Sequence, residues 1–371
     1  MWQKLLTKMK ALILTNKGLE NVSANELRQL ITVTDVDVKP GKVFFSCSSY
    51  NELTSLCYYG RTFSKVVLVL HESKISALPD ESVLEITKPF LQKSVVVYCE
   101  RSGNHGFTSF DVEGKLNGVL KNNYKQIIDH KRPETIIHVI IVNDGCYVGI
   151  DFSGIDLGKR DYRIFLGSNA LKGNIAAALL FVAEYEPKHT LIDIFCRHGV
   201  IPIEAALMAT NASVHKFSKE KLACTHLPCV VCNFKDKEKE FKGRIVAIDE
   251  NFKHVSSAKK NAKIAGVNKH IDFSRKPLED IDLKFDKSSV DRIISTPIQP
   301  GKSFAIERAA RVYKKLFEQA KLVLKSDGKL CLCVRTGADL LKEHSTGFVI
   351  EKELHVMQGK EQLTVLLFSK Q

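Results

Sequence analysis

The sequence predicts an α/β protein. Its C-terminal part is a doubly wound, mostly parallel sheet closed by an antiparallel final hairpin, and two smaller α+β modules precede it. Three observations predict this. Beyond Gly154 strand-like and helix-like segments alternate, the pattern of a parallel sheet covered by helices on both faces. Residues 193–206, Asp-Ile-Phe-Cys-Arg-His-Gly-Val-Ile-Pro-Ile-Glu-Ala-Ala, read as a buried strand end, a tight turn and the start of a helix. Before Gly154, Asn143-Asp144-Gly145 separates two alternating apolar runs, a strong hairpin signal.

The elements follow in order. Residues 1–70 open with a short strand at 11–15 and a helix at 19–30, where Val22, Leu27 and Leu30 form an apolar stripe at helical spacing. Val43-Phe44-Phe45 is strand-like, and 50–59 reads as a second helix. The module at 71–155 has a buried strand at 95–99, an amphipathic helix at 110–120, and strands at 136–142 and 146–152 flanking the hairpin signal. In 156–371 strands are expected at 190–194, 244–249, 271–274, 292–295 and 329–334. Helices are expected at 200–209, 252–265 and 304–324. A hairpin of 348–356 and 362–368 closes the chain across Gln358-Gly359-Lys360.

Composition narrows the function classes. A chain of 371 residues exceeds one ordinary core and suggests two or three domains. Its 44% hydrophobic and 26% charged residues are those of a soluble globular protein. The net charge of +13 points to a polyanionic partner, with nucleic acid foremost; a generally lysine-rich proteome is the other source of such an excess. No apolar run approaches the ~20 residues of a membrane helix, and residues 1–10 lack the uninterrupted apolar core of a signal peptide. Ten cysteines in so long a chain do not make a disulfide scaffold, and Cys196, Cys331 and Cys333 fall in apolar runs where reduced cysteine acts as a small hydrophobe. The expected compartment is the cytoplasm.

Two acidic residues stand where ribose-binding carboxylates belong. Asp193 ends the first strand of the α/β part, and Asp249, followed by Glu250, ends the second. A carboxylate at the second strand end can accept from both hydroxyls of a ribose; the competing role for Asp249 is to cap the helix that begins at Phe252. A dinucleotide fingerprint needs three glycines, and only Gly199 is present, so a cofactor without a pyrophosphate is favoured over a nicotinamide.

At this level of detail the chain resembles the THUMP-domain RNA methyltransferases with a Rossmann-like catalytic domain, a family that includes archaeal tRNA and bacterial large-subunit rRNA guanine-N2 enzymes. The resemblance spans nearly the whole chain. Thr15-Asn16-Lys17-Gly18-Leu19-Glu20 and residues 56–66 are similar to the family's ferredoxin-like N-terminal segment. Residues 101–109 and Val148-Gly149-Ile150-Asp151 resemble the THUMP signature. Gly158-Lys159-Arg160-Asp161-Tyr162-Arg163 and residues 170–179 resemble the junction into the catalytic domain, and 193–206 its first motif, Asp-Pro-Phe-Cys-Gly-Ser-Gly-Thr. The resemblance implies methyl transfer from S-adenosylmethionine to a guanine amine in structured RNA, tRNA foremost, with neither DNA nor a membrane as partner. It places Asp193, Phe195, Cys196, Gly199, Asp249 and Glu250 at the cofactor and Thr296 and Pro297 at the target amine. Arg61, Lys65, Arg101, Lys159, Arg160 and Arg163 are the phosphate contacts it implies.

Three positions depart from the family pattern. In the first motif Arg197, His198 and Val200 replace Gly, Ser and Thr. At the catalytic loop Thr296-Pro297-Ile298-Gln299 replaces Asn-Pro-Pro-Tyr, in which the Asn side chain and a backbone carbonyl accept from the target amine and the ring stacks on the base. After the third strand Pro277 falls where an adenine-binding Asp is expected, with Glu279 and Asp280 nearby. Two readings follow: an active methyltransferase, or an RNA-binding scaffold that keeps the fold. A separate cluster, Cys224, His226, Cys229 and Cys232, has zinc-knuckle spacing in Cys229-Val230-Val231-Cys232, but one short segment is cramped for four ligands, and no metal is expected.

Overall fold

The computed structural model describes residues 8–167, 170–228, 230–236, 238–301 and 304–371. These residues fall into two compact units. The first gathers the chain up to Thr15 with Ser23–Leu157 and Phe217–Lys235; the second comprises Asn16–Val22, Gly158–Lys216 and Asp236–Gln371.

The first unit is built on one eight-stranded sheet. In chain order its elements are β1 (Met9–Thr15), α1 (Glu20–Leu30), β2 (Thr34–Lys39), β3 (Lys42–Cys47), α2 (Tyr50–Tyr59), β4 (Phe63–Lys74), β5 (Ser94–Ser102), α3 (Ser109–Asn122), β6 (Ile127–Ile128), β7 (Thr135–Val142) and β8 (Gly145–Asp151). The strands lie in the order β2-β3-β1-β4-β8-β7-β5-β6. The segments read from sequence as two modules therefore share a single sheet, because β4 and β8 pair antiparallel from Val67–Asp151 to Lys74–Gly145. The Asn143-Asp144 turn joins β7 to β8 as its sequence demands, with Asn143 at φ 54°. A capping box starts α3: Thr108 Oγ1 accepts from Asp111 N–H at 3.2 Å and Asp111 Oδ2 from Thr108 N–H at 2.7 Å. Glu81–Phe90 forms a 3₁₀ segment where the sequence carries no expected helix or strand.

Residues 217–235 belong to this first unit, far from their place in the sequence. Ala223 and Cys224 donate their N–H groups to Ser153 and Phe152 carbonyls at 3.1 and 2.9 Å, and Phe234 stacks on Tyr58 with ring centroids 4.5 Å apart. Cys224 is buried, Cys232 Sγ donates to its carbonyl at 3.2 Å, and His226 Nε2 lies 3.0 Å from the Glu220 carbonyl. Cys229 lies outside the described residues, among which no three His, Cys, Asp or Glu side chains converge as a metal site.

The second unit contains α4 (Gly173–Val182), β9 (Thr190–Asp193), α5 (Val200–Ala209), β10 (Arg244–Asp249), α6 (Phe252–Ile264), β11 (Asp272–Arg275), β12 (Val290–Ser295), α7 (Ile306–Val323), β13 (Leu324–Val334), α8 (Ala338–Glu343), β14 (Phe348–Gln358) and β15 (Glu361–Lys370). Its sheet runs β11-β10-β9-β12-β13-β15-β14. The first five are parallel, and β15 pairs antiparallel with both β13 and β14. Two apolar clusters sandwich this sheet. One is centred on α4 and α5 with Ile175, Leu179, Ile203 and Ala206; the other is centred on α7 with Tyr313, Leu316, Phe317 and Ala320. Helix α4 is buried along nearly its whole length, which is why its sequence, apolar all round, carries no amphipathic stripe. Among the described residues no helix is long and apolar enough to cross a membrane.

Candidate functional site

The chain leaves β9 toward β10 on one side and returns to β12 on the other, so the carboxyl ends of β9 and β12 flank the topological switch point, where open α/β sheets form their crevice. A serine hydroxyl ties the two ends together. Ser295 Oγ, on the last residue of β12, donates to Asp193 Oδ1 at 2.6 Å and accepts from Phe195 N–H at 3.0 Å. Asp193 is 1% exposed. Burial, with the nearby charge of Asp249, pushes its carboxyl up to about 7 against the bond from Ser295.

The turn after β9 is held by main-chain bonds and by one side chain. Cys196 N–H donates to Ile248 O at 2.8 Å and Gly199 N–H to Cys196 O at 2.7 Å. Gly199 sits at φ 80°, and a Cβ there would stand 2.8 Å from Ala258 Cβ, so the glycine lets α5 close on α6. Arg197 is also left-handed, at φ 45°, a costly state for a long side chain. Its N–H is secured by Asp249 Oδ2 at 3.0 Å, while Asp249 Oδ1 accepts from Asn251 N–H at 2.9 Å and faces His254 Nδ1 at 3.0 Å. The cap of α6 is Asn251, whose side chain accepts from Lys253 N–H at 2.9 Å. Asp249 thus organises the turn and is not the helix cap.

On the facing side, Thr296 is half-buried and Pro297 buried. The Arg197 guanidinium donates from Nη2 to the Pro297 carbonyl at 3.2 Å. Gln299 has folded back, its Oε1 accepting from Arg335 N–H at 2.9 Å. Between these groups lies a cleft lined by Asp193, Arg197, His198, Thr296, Gln299 and Arg335 among others. Arg335, which lines the cleft, donates from Nε to Glu361 Oε2 at 2.8 Å and leaves its buried Nη2 without a hydrogen-bond partner among the described residues; the buried Tyr313 hydroxyl on α7 also lacks one. Burial also keeps the His198 imidazole below its ordinary value, with His254 and Arg197 adding to the effect.

The structure brings Asp193, Cys196, Thr296 and Arg197 to one cleft and sets Phe195, Gly199, Asp249 and Pro297 in the backbone around it. Glu250 is exposed, and its carbonyl accepts from Arg275 Nε at 3.1 Å. Pro277 begins a short 3₁₀ turn, Leu278–Asp280, with Glu279 exposed and Asp280 half-buried. Sequence reading missed Ser295, His254, Tyr313 and Arg335. Ser295 and His254 lie one residue before Thr296 and five after Asp249, so proximity to the motifs was a usable signal; Tyr313 and Arg335 arrive from distant elements and carried none.

The basic residues read as phosphate contacts divide. Arg160 is enclosed: its Nε donates to Glu204 Oε1 at 2.8 Å and its Nη2 to Oε2 at 3.3 Å, with Tyr162 hydroxyl on Oε1 at 2.8 Å and no side-chain exposure on either partner of the pair. The phosphate-contact reading is corrected here, because a guanidinium spent on a buried carboxylate presents no donor to a ligand. Arg61 is 8% exposed, its N–H bonded to buried Glu26 at 2.7 Å. Lys65 is paired with the fully buried Asp151 at 2.5 Å. Arg101 donates to the Gly103 carbonyl at 3.2 Å and stands 2.9 Å from His105 Nδ1, Arg163 is half-exposed, and Lys159 is exposed.

The switch-point cleft lies in a mostly parallel α/β domain joined in one chain to an α+β unit, and comparison gives the class its name. Residues 160–365 match the model of the RMKL-like methyltransferase domain, and residues 73–151 that of the THUMP domain. The chain belongs to the RMKL-like methyltransferase family and carries a THUMP domain. It is 28% identical over 367 residues to the tRNA (guanine(6)-N2)-methyltransferase of Methanocaldococcus jannaschii, covering 92% of this chain and 95% of that protein. It is 27% identical over 330 residues to the enzyme of the same name from Archaeoglobus fulgidus, covering 85% and 80%. The crystal structure of TrmN from Thermus thermophilus superposes with a TM-score of 0.76 at 23% identity, covering 98% of this chain and 100% of that one. SMU.472, solved in complex with SAH, superposes at 0.77 with 19% identity and 98% coverage of both chains. These two likenesses speak to the fold.

Proposed function

We propose that this protein is an RNA methyltransferase that moves a methyl group from S-adenosylmethionine to guanine N2 in structured RNA, with tRNA as its substrate and the cytoplasm as its compartment. The observation that carries the reading is the convergence, at one switch point, of Asp193, the Gly199 turn held by Asp249, and the Thr296-Pro297 loop. Family membership, the tRNA guanine-N2 activity named for the two archaeal relatives and the net charge of +13 support it.

The residues fit the cofactor. Unpartnered Arg335 Nη2 at the cleft is a donor suited to the methionyl carboxylate. Asp249 accepts three bonds and, as a carboxylate with about four lone-pair sites, retains capacity for a ribose hydroxyl. When bound, S-adenosylmethionine supplies an electrophilic methyl group. Asp193, its carboxyl raised to about 7 by burial, carries less negative charge there than an ordinary aspartate. The Thr296 hydroxyl and the Pro297 carbonyl accept from the two N–H bonds of the target amine and turn its lone pair toward the cleft. After transfer the surplus proton leaves to solvent, so no dedicated base is required. Lys159, Arg163 and Arg101 hold phosphates.

Calorimetry with S-adenosylmethionine, followed by labelled-methyl incorporation into tRNA, tests the reading. Saturable micromolar binding and incorporation, both lost in Asp249→Ala, are expected. No detectable binding at millimolar cofactor would leave an RNA-binding scaffold instead.

A further inference from the structure

Helix α6 has an unusual charge pattern. Lys253, Lys259, Lys260, Lys263 and, just beyond its end, Lys269 are all exposed, and the sequence from 251 to 271 contains no Asp or Glu. None of the five takes part in an ion pair among the described residues, whereas lysines elsewhere, such as Lys65, Lys325 and Lys329, are paired with carboxylates. From Lys253 to Lys263 the helix carries four of these cations over about 15 Å. Like charges so arranged repel one another, and a polyanion relieves the repulsion.

Apolar side chains interleave with them. Phe252 is 66% exposed at the start of α6, and the segment leading toward the cleft exposes Ile164, Phe165 and Leu166 by 63%, 39% and 41%. This segment is fixed to the helix: Phe165 N–H donates to Asn261 Oδ1 at 3.0 Å, and Asn261 Nδ2 donates to Phe165 O and His198 O, both at 2.9 Å. Lys260 Nζ stands 4.8 Å from the centre of the Phe165 ring. Asn261 therefore joins three things: the lysine-bearing helix, an exposed aromatic platform, and the turn whose His198 lines the cleft.

We propose that α6 and residues 163–167 form an RNA-binding surface that takes an unpaired strand leading to the cleft, the lysines on its phosphates and Phe165 and Phe252 under its bases. Unpaired RNA fits better than duplex, because stacking side chains need splayed bases, whereas a duplex presents only its backbone. The surface lies within the methyltransferase domain and is separate from the THUMP segment matched at 73–151. The inference deepens the RNA methyltransferase reading and rests on it for the role of the cleft, but RNA binding is measured without methyl transfer.

The test uses the full chain and fluorescence anisotropy with a labelled short single strand and a duplex of the same length, between about 50 mM and about 200 mM salt. Combined Lys259→Glu, Lys260→Glu and Lys263→Glu is expected to weaken single-strand binding at least about tenfold and to lower the slope of log affinity against log salt by about 2, from ~0.7 per phosphate contact. Phe165→Ala is expected to weaken it about fivefold with the slope unchanged. Calorimetry with S-adenosylmethionine should match wild type in both variants, which establishes that they are folded. Unchanged affinity and slope in the triple variant, or equal binding of the duplex, overturns the proposal. Absence of cofactor binding in wild type, with the RNA effects intact, would instead remove the methyltransferase reading and leave this surface standing.

Discussion

Arg197 Nη2 donates to the backbone carbonyl of Pro297 at 3.2 Å, from a residue held at φ 45°. In the proposed mechanism that carbonyl accepts from the target amine, so the guanidinium would stand where the substrate's N–H belongs. A bond from a charged donor is worth about 1.5–3 kcal/mol. Removing it in Arg197→Gly, which also relieves the left-handed strain, is expected to raise the rate of methyl incorporation about tenfold. Single-turnover incorporation into tRNA measures this. A rate that falls while cofactor affinity holds would mean that the guanidinium assists transfer.

Asp193 predicts a pH dependence. Its folded carboxyl titrates near 7, above the unfolded value, so the native state binds the extra proton. Stability from this group is complete below about pH 4 and is lost as pH rises through 7. Urea unfolding of wild type against Asp193→Asn across this range should show the difference between them moving against wild type as pH rises. A difference that does not change with pH refutes the assignment.

Gly199 serves conformation and packing together. Gly199→Ala forces a Cβ into φ 80° and to 2.8 Å from Ala258 Cβ. Strain of about 1–3 kcal/mol is expected, seen as a lower midpoint in urea with an unchanged slope.

Arg160 and its neighbour separate structure from binding. Arg160→Ala leaves Glu204 charged and buried and should cost about 3–5 kcal/mol. Lys159→Ala, at an exposed site, should leave stability within about 0.5 kcal/mol. Its effect belongs instead in tRNA affinity and the salt slope, and thermal unfolding beside anisotropy distinguishes the two outcomes.

Much of this protein was legible along the chain. Local periodicity and turn chemistry marked the β7–β8 hairpin, α5, α6 and the strand ends at Asp193 and Asp249, because each depends on residues a few positions apart. What a carboxylate or guanidinium does once placed was not legible in this way. Arg160 and Lys159 are adjacent and both basic, yet one is sealed against Glu204, 44 residues on, and the other faces solvent. Residues 217–235 lie between α5 and β10 in the sequence, yet they pack with the first unit through Ser153, Phe152 and Tyr58. The Arg197–Pro297 bond spans 100 residues and exists only because β9 and β12 are sheet neighbours. By itself the sequence determined the elements, their order and the motif-bearing turns, since these follow from short-range sterics and hydrophobic period. Only the tertiary structure decided which charges were buried, paired or left open, because burial and pairing arise between segments that meet when the sheet closes.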